Sequence, residues 1–319
     1  PMFGLSSKTL AGLGKIGMTF SPKSKLLKQI NIGVSAKRFT YAQQPFNLNY
    51  NKLTPEIFLE FNNRKSASLA RKTVRFRSVI CNKETTEYTL APDSSHIPML
   101  TYNVYYVNSI IFMNDNEREI NPYRYSITFE QGEKFMKSFF SSTYRFSYNS
   151  PKKFFEARVF AGCFIYRKLP INNDYRFNLS GTNGSNDYLF DYYFFGRNEG
   201  SGVFSQQFVD NQGGFKTYTV LKTWDWLLAF NFKTTLPGII PVNLFADIGL
   251  YHAEDQGSYL KKISVPAFEA GLQISIINGI FEINFPMLMS QEVKTTNNLN
   301  MKTYVERIRF TFNINKLDP

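Results

Sequence analysis

This chain of 319 residues holds only two histidines and two cysteines, the residue types most used as general bases, thiol nucleophiles and zinc ligands. His96 lies in "DSSHIP", near Asp93 and Ser95. His252 lies in "LYHAED", near Asp247, Glu254 and Asp255. A histidine beside a carboxylate can serve as a general base, and a hydrolase working at the rim of a barrel could use such groups. The plainer reading is a loop histidine next to solvated carboxylates. Neither histidine stands in H-E-x-x-H and no G-x-S-x-G occurs, so zincin and nucleophile-elbow chemistry have no motif here. Cys81 and Cys163 lie far apart, each inside a strand-like run, without metal or redox spacing. They read as small buried or lipid-facing residues. "GLGKIG" at 12–17 matches G-x-G-x-x-G, but it alternates like a strand and no helix follows, so a dinucleotide site is not expected. The Asn-x-Ser sequences at Asn178 and Asn183 are chance matches. The sequence therefore assigns no catalytic, cofactor-binding or metal residue, implies no cofactor, and does not mark this chain as an enzyme by itself.

More informative are charges in regular places. Arg75, Arg77, Arg124, Arg158, Arg307 and Arg309 alternate with apolar neighbours, and so do Glu56, Glu60, Glu130, Glu156, Glu269 and Glu282. Mixed signs suit a salt-bridged, filled interior; an anion pore would carry more one-sided charge. The net charge of +12 comes without a dense basic block, zinc-finger spacing or RNP-like segment, so nucleic acid is not an expected partner.

The elements that hold these charges have a period of two. In "YVERIRFTFNINK", residues 304–316, Ile308, Phe310, Phe312 and Ile314 fall on one side. Arg307, Arg309, Thr311, Asn313 and Asn315 fall on the other, which marks a strand with one greasy and one wet face. The same alternation recurs around 14–21, 30–36, 56–61, 74–80, 100–112, 123–130, 140–148, 155–165, 226–233, 244–250, 268–275 and 281–285. Phe (32) and Tyr (19) are abundant, as strands and membrane interfaces favour. Residues 168–218, rich in Asn, Gly and Asp, form a long irregular loop that either plugs the interior or stands outside it.

About 13 strands near ten residues long, tilted about 40°, would each span roughly 25 Å, the height of an outer-membrane barrel's apolar band. A sandwich of that many strands would need an unusually large dry core. Connections also alternate: short at 22–27, 149–152, 234–241 and 277–279, longer at 37–52, 83–99, 168–218, 253–265 and 290–303. Barrels show this asymmetry. The mean hydropathy of −0.28 fits, because inward polar residues cancel outward apolar ones. The fold class is thus all-β: one antiparallel transmembrane barrel domain over 1–319, located in the bacterial outer membrane. About 14 strands are expected, since single-chain bacterial barrels are even-numbered, with the N-terminal strand truncated to "PMF". The chain is read as a fragment of a longer protein. A soluble β-rich binding protein, monodisperse without detergent, is the contrary reading.

Several runs together, "LAGLGKIGMTFSPKS", "DYLFDYYFFGRNEGSG", "SQQFVDNQGGFK", "LFADIGLY", "GIFEINFPML" and "YVERIRFTFNINKLDP", resemble the C-terminal region of large Gram-negative surface proteins related to gluzincin aminopeptidases. The resemblance covers most of this chain. It implies an outer-membrane barrel that anchors an upstream zinc-peptidase-like module of the same polypeptide, on the periplasmic side by strand parity. None of the peptidase ligands exists in these residues, so no site residue carries over. Expected partners are outer-membrane lipid, the upstream module and other outer-membrane proteins. The alternative function is a transport or secretion channel with 168–218 as its plug.

Overall fold

In the computed structural model the alternating runs are strands, and they pair into one large sheet. The structure describes residues 2–3, 10–42, 46–63, 68–90, 96–148, 153–197, 199–236, 241–253, 263–277, 280–301 and 303–312. The first nine strands follow one another: β1 (Met2–Phe3), β2 (Leu10–Phe20), β3 (Leu27–Ala42), β4 (Leu48–Phe61), β5 (Ala70–Leu90), β6 (His96–Asn116), β7 (Tyr123–Gly132), β8 (Phe135–Ser147) and β9 (Phe154–Arg167). Three two-residue strands lie in the irregular stretch: β10 (Phe177–Asn178), β11 (Gln207–Phe208) and β12 (Lys222–Thr223). Then come β13 (Trp226–Thr235), β14 (Val242–Ala253), β15 (Ile263–Ile277), β16 (Phe281–Met289), helices α1 (Gln291–Asn300) and α2 (Tyr304–Arg307), and β17 (Arg309–Phe312).

Sheet order is chain order from β1 to β9, then β13 to β17, with β11 last. Neighbours are antiparallel except β11, which runs parallel to β17. The principal strands, eight from β2 to β9 and five from β13 to β17, are the runs found in the alternation. The fourteenth strand is represented by β1 on the outer edge of β2. Of the glycines in "GLGKIG", Gly17 serves strand packing, because a Cβ there would stand 3.1 Å from the Ile32 carbonyl of β3, while a Cβ at Gly14 would meet nothing within 4 Å.

The two faces invert the rule for soluble proteins. Ile57, Phe76, Ile110, Ile127, Phe129 and Phe268 point outward and are each at least 39% exposed. Glu130, Lys137, Asp247, Glu269, Asn284 and Arg309 point inward and are each at most 3% exposed. Charged side chains are almost never fully buried unless paired, and such a contiguous apolar exterior belongs in lipid. No described helix is long and apolar enough to cross a membrane; here strands are the spanning elements.

Four expectations need correction. The stretches 37–52 and 83–99, read as loops, are largely strand, because Thr- and Tyr-rich runs such as "TTEYT" are β-formers without apolar alternation. Residues 290–303 contain α1, which buries Val293 against the inner core. The last strand begins at Arg309 rather than 304. Before it, Glu306 accepts a 3.1 Å hydrogen bond from the Thr303 amide and starts α2, in the T-x-x-E pattern of a capping box. Arg307 is accordingly on α2, bonded to Asn298 at 2.9 Å, and not on the wall. The part of that strand expected at 313–316 lies outside the described residues.

Ile127 and Ser126 are adjacent on β7 and face opposite ways, Ile127 between Phe112 and Phe140, Ser126 between Met113 and Ser141. Ile127→Arg should cost about 2–4 kcal/mol near the bilayer midplane, and Ser126→Arg distinctly less. Urea titration of the protein refolded into lipid vesicles would read the difference; equal costs would contradict the assigned faces.

Candidate functional site

The irregular segment runs from the 3-10 turn Asn173–Tyr175 to β12 and lies against the inner face of the sheet. Its apolar anchors fit places where the wall has no side chain. A Cβ at Gly162 of β9 would stand 2.7 Å from the Phe177 ring, and one at Gly249 of β14 would stand 2.3 Å from Leu179 Cδ1. Phe177, Leu179 and Phe215 share a buried cluster with Phe160, Leu227, Ala229, Tyr251 and Ala267 of the wall. Burying a side chain of this size contributes about 1.5–3 kcal/mol. Further along, Phe190 stacks on Tyr50 with centroids 3.9 Å apart, and Leu189 packs with Val79, Val107 and Phe135.

Polar contacts fix the same segment around the sheet. Lys37 of β3 donates to the Phe190 carbonyl at 3.1 Å. Asp191 meets Lys52 of β4 at 2.6 Å and Arg77 of β5 at 2.8 Å. Tyr105 of β6 donates to the Tyr188 carbonyl, and the Tyr188 hydroxyl donates to Glu130 of β7. Lys137 of β8 reaches the Tyr175 carbonyl at 2.9 Å. Arg158 of β9 and Asn231 of β13 donate to the carbonyls of Gln212 (2.8 Å) and Gly213 (2.9 Å). Lys216 lies 3.8 Å from Asp247 of β14, and Glu269 of β15 accepts from the amides of Lys216 and Thr217. Gln207 donates to the Phe312 carbonyl of β17 at 3.2 Å. One segment can touch strands from β3 to β17 only if the sheet curls around it, so the inner face is a lumen and the segment fills it.

The fit is partial. A cavity of about 190 Å³ remains between wall and segment, lined by Arg77, Glu130, Lys137, Thr182, Asn211 and Gln212 among others. Backbone pairing with the wall is slight: β11 offers two residues to β17. Away from the segment the wall pairs its own charges, as in Arg145–Glu156 (2.7 Å), Lys233–Glu282 (3.2 Å) and Arg71–Glu60 (2.9 Å).

The sequence candidates fall differently. His252 does not meet Asp247. Its Nδ1 contacts Asp225, which also lies 3.4 Å from Arg167, and its carbonyl accepts from Thr223 at 2.6 Å. Glu254 and Asp255 are outside the described residues, as are Asp93 and Ser95. His96 is exposed at the start of β6. Cys81 is buried and Cys163 exposed on the outer face, both as free thiols. Among the described residues, no group of three His, Cys, Asp or Glu side chains is placed to hold a metal. Of the wall residues that grip the segment, Arg77, Glu130, Arg158 and Glu269 were among the alternating charges, whereas Lys37, Tyr50, Lys52 and Lys137 were not singled out by spacing. The inward glycines 162 and 249 were the available signal.

No family model and no curated protein matches the chain. Among solved structures it is similar to CdiB from Acinetobacter baumannii, with 9% identity and a TM-score of 0.41. The match covers 91% of this chain and 49% of the other, so this chain spans about half the length of that protein. None of these comparisons supports the gluzincin resemblance. The chain's own two faces define its class: apolar outside, charged inside and crossed by strands, it is a β-barrel of the bacterial outer membrane.

Burial alone would raise the Asp191 carboxyl, but the Arg77 and Lys52 charges outweigh it and hold the group well below the usual carboxylate range. A depressed value stabilises the docked segment at any pH above the ordinary one, near 3.8, and that contribution fades as pH falls below it. Docking through Asp191 should therefore be flat from pH 7 to about 4 and weaken below. Asp191→Asn should loosen the segment by about 2–3 kcal/mol at pH 7 and flatten the acid response. Limited proteolysis within 173–223 in reconstituted protein reads both effects; an unchanged acid response would remove Asp191 as the latch.

Proposed function

We propose that this chain is a transport or secretion channel of the outer membrane, held shut by its own segment 173–223. The observation that carries this reading is the way the segment is attached. It fills a lumen through side-chain contacts and two residues of strand pairing, and it leaves a cavity of mixed polar and apolar lining at its border. Barrels of about eight strands are filled by wall side chains alone, whereas larger ones enclose a passage or a plug. A sheet with this many strands has a lumen wider than an anchor requires. The anchoring of a peptidase-like upstream module remains the weaker reading, because anchoring alone gives no role to a separable stopper. In this proposal the chain is not catalytic, and the Thr223 hydroxyl, donating to the His252 carbonyl at 2.6 Å, fastens the end of the segment to β14.

Deleting residues 173–222 and joining the ends with a short flexible linker tests the proposal. In planar bilayers the full chain should be nearly silent and the deletion variant should conduct steadily. A deletion variant that still shows the heat-dependent gel shift of a folded barrel, yet does not conduct, would favour the anchor.

A further inference from the structure

β5 and β6 are 21 residues each, twice the length of β7 at 10. Their mutual ladder runs from Ala70–Asn116 to Leu90–His96. On one side β4 pairs with β5 only as far as Lys83. On the other, β7 pairs with β6 only from Val107 onward. Glu84 is still tied down: its backbone carbonyl accepts from the Tyr41 hydroxyl, and its carboxylate accepts from the Asn49 amide at 2.8 Å. From Thr85 on, the two strands form a ribbon without described neighbours on either edge. Eleven residues of β6 project past the end of β7, roughly 35 Å along the strand.

The ribbon is two-faced. On the side continuous with the lipid-facing belt stand Tyr88, Pro98, Leu100, Tyr102, Val104 and Tyr106, with Tyr88, Tyr102 and Val104 each at least 59% exposed; Asn82, Glu84 and Thr86 share that side, the Glu84 carboxylate being taken up by the Asn49 amide. The opposite side carries Lys83, Thr85, Glu87, Thr89, Thr101 and Asn103, with Ile97 and Met99 as its apolar exceptions. A lone two-stranded ribbon wetted on both faces is marginally stable. Along β6 the outward row runs Phe112, Ile110, Asn108, Tyr106, Val104, Tyr102, Leu100, with Asn108 its single amide, and covers more length than a roughly 25 Å apolar band can take up.

We propose that this ribbon is a second membrane contact, reclining on the leaflet at its end of the barrel with lipid as its occupant. The direction of the lean follows from the faces. Leaning away from the barrel axis turns the outward face down onto the bilayer and the Thr/Lys/Glu face up to water. Leaning over the lumen would do the reverse. The tyrosines then sit at headgroup level, where amphipathic rings are favoured. The contact extends the lipid interface of the wall beyond Asn108 and the Asn49-bonded Glu84.

The test uses the whole chain with Cys163→Ala, leaving the buried Cys81 in place. Leu100→Cys or Thr101→Cys carries an environment-sensitive fluorophore in phosphatidylethanolamine–phosphatidylglycerol vesicles. The label at 100 should be blue-shifted and quenched severalfold by headgroup nitroxide lipids, while the label at 101 stays in water. Tyr102→Cys and Asn103→Cys repeat the comparison should the first pair fail to fold. Two wet labels would overturn the proposal in favour of a free-standing ribbon. A label at 100 that is shielded but unquenched would overturn it in favour of a protein cover, a partner or a second copy.

Discussion

The structure depends on how charges turned away from lipid are compensated. A wide sheet whose outer face meets hydrocarbon must put its Arg, Lys, Asp and Glu inside, and an inside that excludes bulk water punishes every unpaired charge. Two solutions divide the lumen. Towards the end that carries the connections near 62–69, 148–153 and 236–241, wall residues pair with one another: Arg145 with Glu156, Lys233 with Glu282, Arg71 with Glu60. Towards the other end the wall lacks enough partners of its own. There the segment supplies Asp191 to Lys52 and Arg77, Asp210 and backbone carbonyls to Arg158, and Lys216 to Asp247. The wall and the stopper are therefore halves of one electrostatic structure.

Hydrophobic contacts then set the register of that docking. Phe177 and Leu179 enter where Gly162 and Gly249 leave room, and Phe190 lies flat on Tyr50. Charges alone would tolerate a shift of several ångströms; apolar side chains seated over glycines do not, because a side chain at either glycine would meet them well inside van der Waals contact. Such a docking is tight yet separable. It rests on side chains and on the short β11–β17 pairing, so release would leave the wall's own ladders intact.

Much of the barrel was legible in the chain. Alternation located all the principal strands and assigned their faces, because lipid outside and water or charge inside impose a strict period of two. Strand ends were less legible. "TTEYT" in β5 and the Tyr- and Asn-containing ends of β3 and β4 leave the greasy pattern where the strands leave the bilayer, yet their backbones continue the ladder. The inward segment was recognised as an irregular stretch, but its place was not, since its contacts join residues more than a hundred positions apart, such as Lys52 with Asp191. The histidine near "LYHAED" illustrates the same limit: its carboxylate partner is Asp225, across the strand junction, rather than any neighbour in sequence.

Carbene photolabelling from within the bilayer tests the central claim most directly. The intact protein in native-like membranes is irradiated with a lipid-borne diazirine, and labelled residues are located by peptide mass spectrometry. A barrel with these faces and an inward segment takes labels on Ile57, Phe76, Ile110, Ile127, Phe129 and Phe268, and none on Phe177, Leu179 or Phe215. Labels on those three, or labels that ignore the alternation along β7, would mean that the segment lies outside the barrel or that the faces are reversed.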